Sequence, residues 1–246
     1  MENQPRCVTI EQECLGGTGA HFPRGKLGMT APAKLPMSGM TQFKETTKET
    51  LIEFWDDVEN VTGVKINYLE RMEDIVAEGD GFLVTTNKGS YRTRSVLLSI
   101  GRRGTPRKLG VPGEESTKVV YRLIDPQQYQ DQHVLVVGGG DSALEAATSI
   151  AEETNAKVTI SYRSGSFSRA KEKNRQRVDK AVNDGILKVL LTSNVKEVHE
   201  KTVKIDQEGN LIEIQNDAVI VSAGGILPTP FLKKIGINVD TKHGTE

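Results

Sequence analysis

Gly138, Gly140 and Ala143 stand at the spacing G-x-G-x-x-A within Gly138-Gly139-Gly140-Asp141-Ser142-Ala143. Three small residues at that spacing suit the binding of a dinucleotide pyrophosphate. The first allows a tight turn, the second lets phosphate oxygens approach the backbone, and the third lets the helix pack close to its strand. The free N–H groups of a helix starting at Asp141 and Ser142, with its positive dipole end, would face the phosphates. The spacing acquires meaning only between a strand and a helix. Val134 to Val137 are four apolar β-formers in a row and read as a strand buried on both faces. A helical pattern then runs from Asp141 to about Glu153. The alternative is an ordinary strand–helix turn in another parallel-sheet protein.

Two further groups could read the rest of a nucleotide. The strand Lys157 to Ser164 ends in Arg163 and Ser164, with Arg169, Lys171 and Lys173 close behind. A free ribose 2′-OH usually meets an acid at this position. Arginine suits a 2′-phosphate instead, because its planar fork gives bidentate, charge-assisted bonds. The pattern favours NADP over NAD; the alternative is a solvated basic helix start. Near the N-terminus, Arg6 to Gln12 reads as a short strand carrying Glu11, followed by Gly16-Gly17-Thr18. An acid and a glycine loop there fit the second strand of a dinucleotide-binding unit, where the acid accepts from a ribose diol. The alternative is an exposed Glu after an edge strand. On the first reading the phosphate-binding strand and turn lie upstream of Met1, so the chain is expected to open in the middle of a nucleotide domain and to hold that nucleotide weakly.

The elements between these groups set their places. Residues 21 to 40 have no clear period and read as a long ordered loop. Thr46 and Glu49 form a capping box for a helix whose apolar positions include Leu51, Ile52, Phe54, Trp55 and Val58, which makes Trp55 a core residue; Gly63 ends it. Val64 to Ile100 reads as short strands: Val64 to Ile66, a meander over Met72 to Arg94, and a last run, Val96 to Ile100, apolar enough to be buried. Gly104 to Glu114 is rich in Gly and Pro and marks the best domain boundary. After a charged helix at Ala170 to Gly185, strands are expected at Leu187 to Leu191, Val195 to His199, Thr202 to Ile205, Leu211 to Ile214 and Asp217 to Ser222, with a short helix at Phe231 to Ile235. A meander that runs into an apolar strand and a glycine turn thus occurs twice.

Of the 246 residues, 36% are hydrophobic and 26% charged, a globular composition with enough apolar residues for a core. A net charge of −1 argues against a nucleic-acid partner recruited by bulk charge. Cys7 and Cys14 are too few for a disulfide scaffold. No signal peptide or transmembrane run is visible and no metal site is expected, so the default location is the cytoplasm.

Together these segments resemble the flavoproteins with two dinucleotide-binding domains, most closely the thioredoxin-reductase-like group of the pyridine nucleotide-disulfide oxidoreductase superfamily. Gly138 to Ala143 is similar to that group's NADPH fingerprint, and Tyr162-Arg163-Ser164 with Arg169 to its basic 2′-phosphate motif, partly filled. Gly104 to Glu114 resembles the hinge leaving the flavin domain. Ala223-Gly224-Gly225-Ile226-Leu227-Pro228 resembles the segment that closes the NADPH domain and places Gly225 at the NADP site. Glu11, Gly16, Gly17 and Thr18 resemble the flavin domain's ribose acid and loop. The resemblance implies an α/β fold of two Rossmann-like domains in three ββα layers. An NADP domain over 116–235 would be inserted in an incomplete FAD domain made of 1–115 and a return segment, 236–246. It implies FAD and NADP as cofactors, and hydride transfer from NADPH to flavin and on to a small-molecule or small redox-protein acceptor. Homodimerisation is left open. The group's dithiol has no counterpart at Tyr121 to Asp125, so thioredoxin reduction is not expected, and dithiol-free relatives are nearer. No catalytic acid, base or nucleophile is singled out, since the cofactors would carry the chemistry. The alternative is an NADP-binding sensor module without catalysis.

Overall fold

The computed structural model describes residues 7–24, 27–29, 31–35, 39–41, 45–101 and 105–240. Arg6, Gly104 and residues 241–246 of the expected return segment lie outside them. The chain forms two compact units, one from Met1–Arg103 with Leu227–Glu246 and one from Gly104–Ile226.

In the first unit, β1 (Thr9–Ile10) is followed by β2 (Leu27–Met29), β3 (Lys34–Leu35), β4 (Gly39–Met40) and β5 (Glu45–Thr47). Helix α1 (Lys48–Thr62), β6 (Ile66–Asn67), β7 (Met72–Glu78), β8 (Gly81–Thr86) and β9 (Ser90–Thr93) come next. β1 lies parallel to β6, which begins two residues later than the sequence suggests. β7, β8 and β9 form the expected antiparallel meander. Glu70, 3% exposed, accepts from the Thr86 hydroxyl and the Tyr91 phenol, each at 2.8 Å, and fixes the entry to that meander.

Four expectations for this unit fail. The segment read as a long loop pairs its chain instead, β2 antiparallel with β5 and β3 with β4. Because β5 draws Thr46 into a ladder opposite Gly28, the helix cap moves on by one residue. Thr47 Oγ1 accepts the Thr50 N–H at 3.2 Å. Trp55 is not a core residue: no α1 side chain is buried, and Trp55 packs edge-on against Phe54 at 5.1 Å. Val96 to Ile100 forms no strand, and Leu97 is 91% exposed. An apolar run becomes a buried strand only when neighbours complete its ladder. None pairs with it among the described residues.

The second unit has β10 (Val119–Val120), β11 (His133–Val137), α2 (Asp141–Glu153), β12 (Lys157–Ser161), α3 (Glu172–Asn183) and β13 (Leu187–Leu190). A meander of β14 (Ser193–Val198), β15 (Thr202–Gln207) and β16 (Asn210–Gln215) precedes β17 (Ala218–Val221). After it the chain re-enters the first unit through α4 (Thr229–Lys234). The sheet order is β10-β17-β11-β12-β13, all parallel, which is the expected α/β architecture. β10 has no counterpart in the sequence reading, because two residues carry no period.

Period-two alternation explains the layers. Val134, Val136, Val158, Ile160 and Ile220 face the helices, where they meet Ala143, Leu144, Ala147 and Ile150 of α2. Leu135, Val219 and Val221 face the other way, onto Val195, Val203 and Ile205 of the meander. Sheet strands buried on both sides are thus sandwiched between helices and a meander in three layers.

The two strands of chain that enter and leave this unit lie side by side. Pro106 bridges Gly225 in antiparallel fashion, the Arg107 N–H donates to Gly224 O at 3.0 Å, and the Ile226 N–H to Thr105 O at 2.8 Å. Just beyond, Glu114 is 8% exposed and collects the N–H groups of Leu109 (2.5 Å) and Gly110 (2.7 Å) and the Tyr121 hydroxyl (3.0 Å). Burial alone would raise its pKa; the donated hydrogen bonds more than offset that and hold it below the usual value of 4.5. Glu114→Ala should cost about 1.5–3 kcal/mol in urea unfolding at neutral pH, as expected for charged hydrogen bonds. Since the folded pKa is depressed, the stabilisation is full above the unfolded value and fades as pH falls through the folded one. Wild type and Glu114→Gln should therefore converge in stability as the solution is acidified below 4.5. A gap that stays constant with pH would count against the assignment.

Candidate functional site

The glycine turn sits where β11 meets α2, at the carboxyl edge of the parallel sheet. In open α/β sheets ligands bind at that edge. Gly138 holds φ at +146°, and a Cβ there would stand 2.5 Å from Ser222 O and 3.1 Å from the Ala143 Cβ. The Gly138 N–H donates to Ser161 O at 3.0 Å, and the Ser222 N–H to Val137 O at 2.7 Å. Ala143 is fully buried. The first and third small positions therefore do packing work, seating α2 on the ends of β11 and β17. Gly140 differs: nothing lies within 4 Å of where its Cβ would be. No packing contact requires a glycine there, and the open side of the turn leaves room for a ligand. Gly140 is the cap of α2 and supplies no side-chain capping bond, and Ser142 in the first turn is exposed. The N-terminus is left with backbone N–H groups of the kind that bind phosphate.

The Asp141 carboxylate faces the protein. It accepts from the Lys171 N–H at 2.8 Å and from Asn174 Nδ2 at 2.7 Å, and Asn174 Nδ2 also reaches Glu145 at 3.2 Å. These bonds tie the start of α3 to the start of α2. They also explain why α3 begins at Glu172 rather than Ala170, since Lys171 is held in extended backbone as its cap.

The segment between β12 and α3 carries the basic residues. Arg163, Ser164 and Arg169 are all exposed, and among the described residues neither arginine has an ion-pair partner. Ser164 is anchored by its carbonyl, which accepts the Thr192 N–H at 3.2 Å. Tyr162 is held through both backbone groups, its N–H on Leu190 O at 2.9 Å and its carbonyl on the Ser193 N–H at 3.0 Å. Its ring stacks on Phe167 with centroids 5.6 Å apart and planes at 17°. The sequence pattern gave Gly139 no role. A Cβ at Gly139 would collide with the Tyr162 ring, so this middle glycine is required by an aromatic neighbour. The signal that could have revealed it is a glycine at a position the fingerprint leaves free. Gly225 is exposed in the bridge to Pro106.

In the first unit, Glu11 follows β1 directly, and its carboxylate accepts the Glu13 N–H at 3.1 Å. Gly16 (φ +92°) and Gly17 (φ +48°) turn the chain. A Cβ at Gly16 would meet the movable end of the Ile52 side chain of α1, and the left-handed φ is what favours glycine there. Thr18 is exposed, precedes the 3-10 turn Gly19–His21 and makes no side-chain capping bond. Cys7 and Cys14 are exposed free thiols.

A cleft of about 630 Å³ opens at the opposite, amino end of the sheet, lined by His133, Thr154, Lys157 and Lys188 among others. It holds none of the candidate cofactor-binding residues. Among the described residues no helix is long and apolar enough to cross a membrane. Replacing Gly138 by alanine would force both a disfavoured φ and contact with Ser222. We expect Gly138→Ala to lose about 2 kcal/mol or more in thermal or urea unfolding. Gly140→Ala, with open space around it, should unfold within about 1 kcal/mol of wild type. Equal losses for the two would refute this division of labour.

Comparison with known proteins agrees with this architecture. The chain is 32% identical over 197 residues to a ferredoxin–NADP reductase of Ignicoccus hospitalis, covering 77% of this chain and 63% of that protein. It is 30% identical over 169 residues to the bacilliredoxin reductase Bdr of Bacillus subtilis, covering 68% and 52%. It thus spans only between half and two thirds of these relatives' length. The bacillithiol disulfide reductase Bdr of Staphylococcus aureus superposes with a TM-score of 0.83 at 24% identity, covering 96% of this chain and 74% of that one. A thioredoxin reductase of T. acidophilum gives a TM-score of 0.71 at 22% identity, covering 95% and 73%. These likenesses show the fold of two Rossmann-like domains. Residues 6–245 match one protein family, and the chain belongs to it: the pyridine nucleotide-disulphide oxidoreductases.

Proposed function

We propose that the chain works as an NADPH-dependent flavoprotein oxidoreductase, with the second unit binding NADP(H) and the first contributing to an FAD site. The observation that carries this reading is the glycine turn at the carboxyl edge, open at Gly140 and followed by an uncapped helix N-terminus. Family membership supports it. In this reading Gly138 to Ala143 and Gly225 hold the pyrophosphate and neighbouring parts of NADP, while Arg163, Ser164 and Arg169 take the 2′-phosphate. Glu11, Gly16, Gly17 and Thr18 lie against the ribose end of FAD. When bound, the two cofactors would supply hydride transfer from nicotinamide to flavin, leaving two electrons for an acceptor. The chain's own residues bind and orient. The names of relatives include ferredoxin and bacilliredoxin, which favours a small redox protein as acceptor.

A second reading is a nucleotide-binding module without flavin chemistry. It is favoured by the first unit, where α1 buries no side chain and Leu97 is almost fully exposed. The two separate cleanly. Because the flavin is expected to be held weakly, FAD is kept in excess rather than removed by desalting: NADPH should then bleach it under anaerobic conditions in the presence of the protein. NADPH binding with no protein-dependent bleaching would select the module instead.

Cofactor choice supplies a sharper test. Arg163→Ala should weaken NADPH binding roughly ten- to a hundred-fold, the worth of a charge-assisted bond, and leave NADH binding nearly unchanged. Equal losses for both in titration calorimetry would overturn the role of Arg163. In the flavin-loaded protein, replacing Cys7 and Cys14 with serine should leave flavin bleaching within about twofold of wild type, far from the tenfold change that 1.4 kcal/mol represents. Near-complete loss would show that the two thiols take part.

A further inference from the structure

Tyr162 is placed unlike a residue that merely ends a strand. Its backbone is fixed on both sides by Leu190 and Ser193, and one ring face is backed by Phe167. The ring atoms Cδ1, Cε1 and Cζ each lie within clashing distance of where a Cβ of residue 139 would stand. Cζ carries the hydroxyl, so the polar end of the ring lies over the glycine turn at Gly139. The side chain is half-buried, and among the described residues its hydroxyl has no hydrogen-bond partner. A phenol held rigidly at the rim of a phosphate turn, with its donor unused, is suited to an anionic oxygen. A hydroxyl donates short, strong bonds to such acceptors.

We propose that Tyr162 is a binding residue for the dinucleotide, its hydroxyl donating a hydrogen bond to the pyrophosphate seated on Gly138 to Ser142. The proposal rests on the dinucleotide reading of that turn. The Tyr162–Phe167 stack pre-orients the donor, so little side-chain freedom is lost on binding. It also couples the two ends of the site. The residue that touches the pyrophosphate turn is the one immediately before Arg163. Pyrophosphate is common to both nicotinamide dinucleotides, so the contact adds affinity without discriminating between them. This distinguishes it from the arginines.

The test is calorimetric titration of the whole chain with NADP⁺ and with NAD⁺. Tyr162→Phe keeps the ring, the stack and the contact with Gly139 and removes only the donor. We expect both dissociation constants to rise by a similar factor, roughly ten-fold, with the thermal midpoint of the unliganded protein unchanged. Tyr162→Leu removes the stack as well and should weaken binding further and lower the midpoint. Binding by Tyr162→Phe equal to that of wild type would overturn the proposal while leaving the dinucleotide site intact. Loss confined to NADP⁺ would also overturn it, placing the hydroxyl on the 2′-phosphate. Wild-type protein that binds neither nucleotide would refute the underlying reading and the proposal with it.

Discussion

The ends of three parallel strands meet at one glycine. The Gly138 N–H is bonded to the last residue of β12, the adjacent Val137 carbonyl takes the N–H that follows β17, and the Gly138 Cα lies against Ser222. A side chain at this point would push the start of α2 away from β17. The wedge between strand and helix is what holds the helix N-terminus at the sheet edge, and the groups proposed to bind NADP are positioned from it. Asp141 extends the same constraint to α3 by bonding Lys171 and Asn174. Tyr162 extends it to the basic segment by lying on Gly139. Glycine turn, helix and basic segment are thus one packed assembly.

This explains which parts of the site could be read from the sequence. Gly138, Gly140 and Ala143 are local: a strand, a turn and a helix in continuous sequence, each with its own period. The burial of the central strands was legible for a similar reason, since Val134 to Val137 and Ala218 to Val221 are apolar on both faces and must be covered twice. The reason for Gly139 was not legible. It depends on a ring contributed by the end of the next strand, and no spacing rule links residues 139 and 162. The inward-facing role of the Asp141 carboxylate was hidden in the same way, because its partners belong to another helix.

The errors in the first unit have a different origin. Thr46 makes a sound capping box on paper, yet β5 needs it for pairing with β2, so Thr47 caps the helix. Trp55 and Val96 to Ile100 are apolar and were read as buried. Burial is a property of the surroundings as much as of the residue. The described part of this unit offers α1 no surface that buries it and offers Val96 to Ile100 no strand to pair with.

The two units therefore differ in how much structure they owe to their own sequence. The second has a continuous core on both faces of a five-stranded sheet, with Leu135, Val136, Ile160, Val219 and Ile220 all at 0% exposure. Among the described residues of the first, the buried apolar side chains are Ile75 and Val84 of its meander. Regions with few buried apolar contacts open at lower free-energy cost than packed cores. On that ground amide exchange is expected to be faster in the described part of the first unit than in the second. The groups assigned to NADP all belong to the second, so their arrangement follows from its own packing, whatever state the first unit occupies.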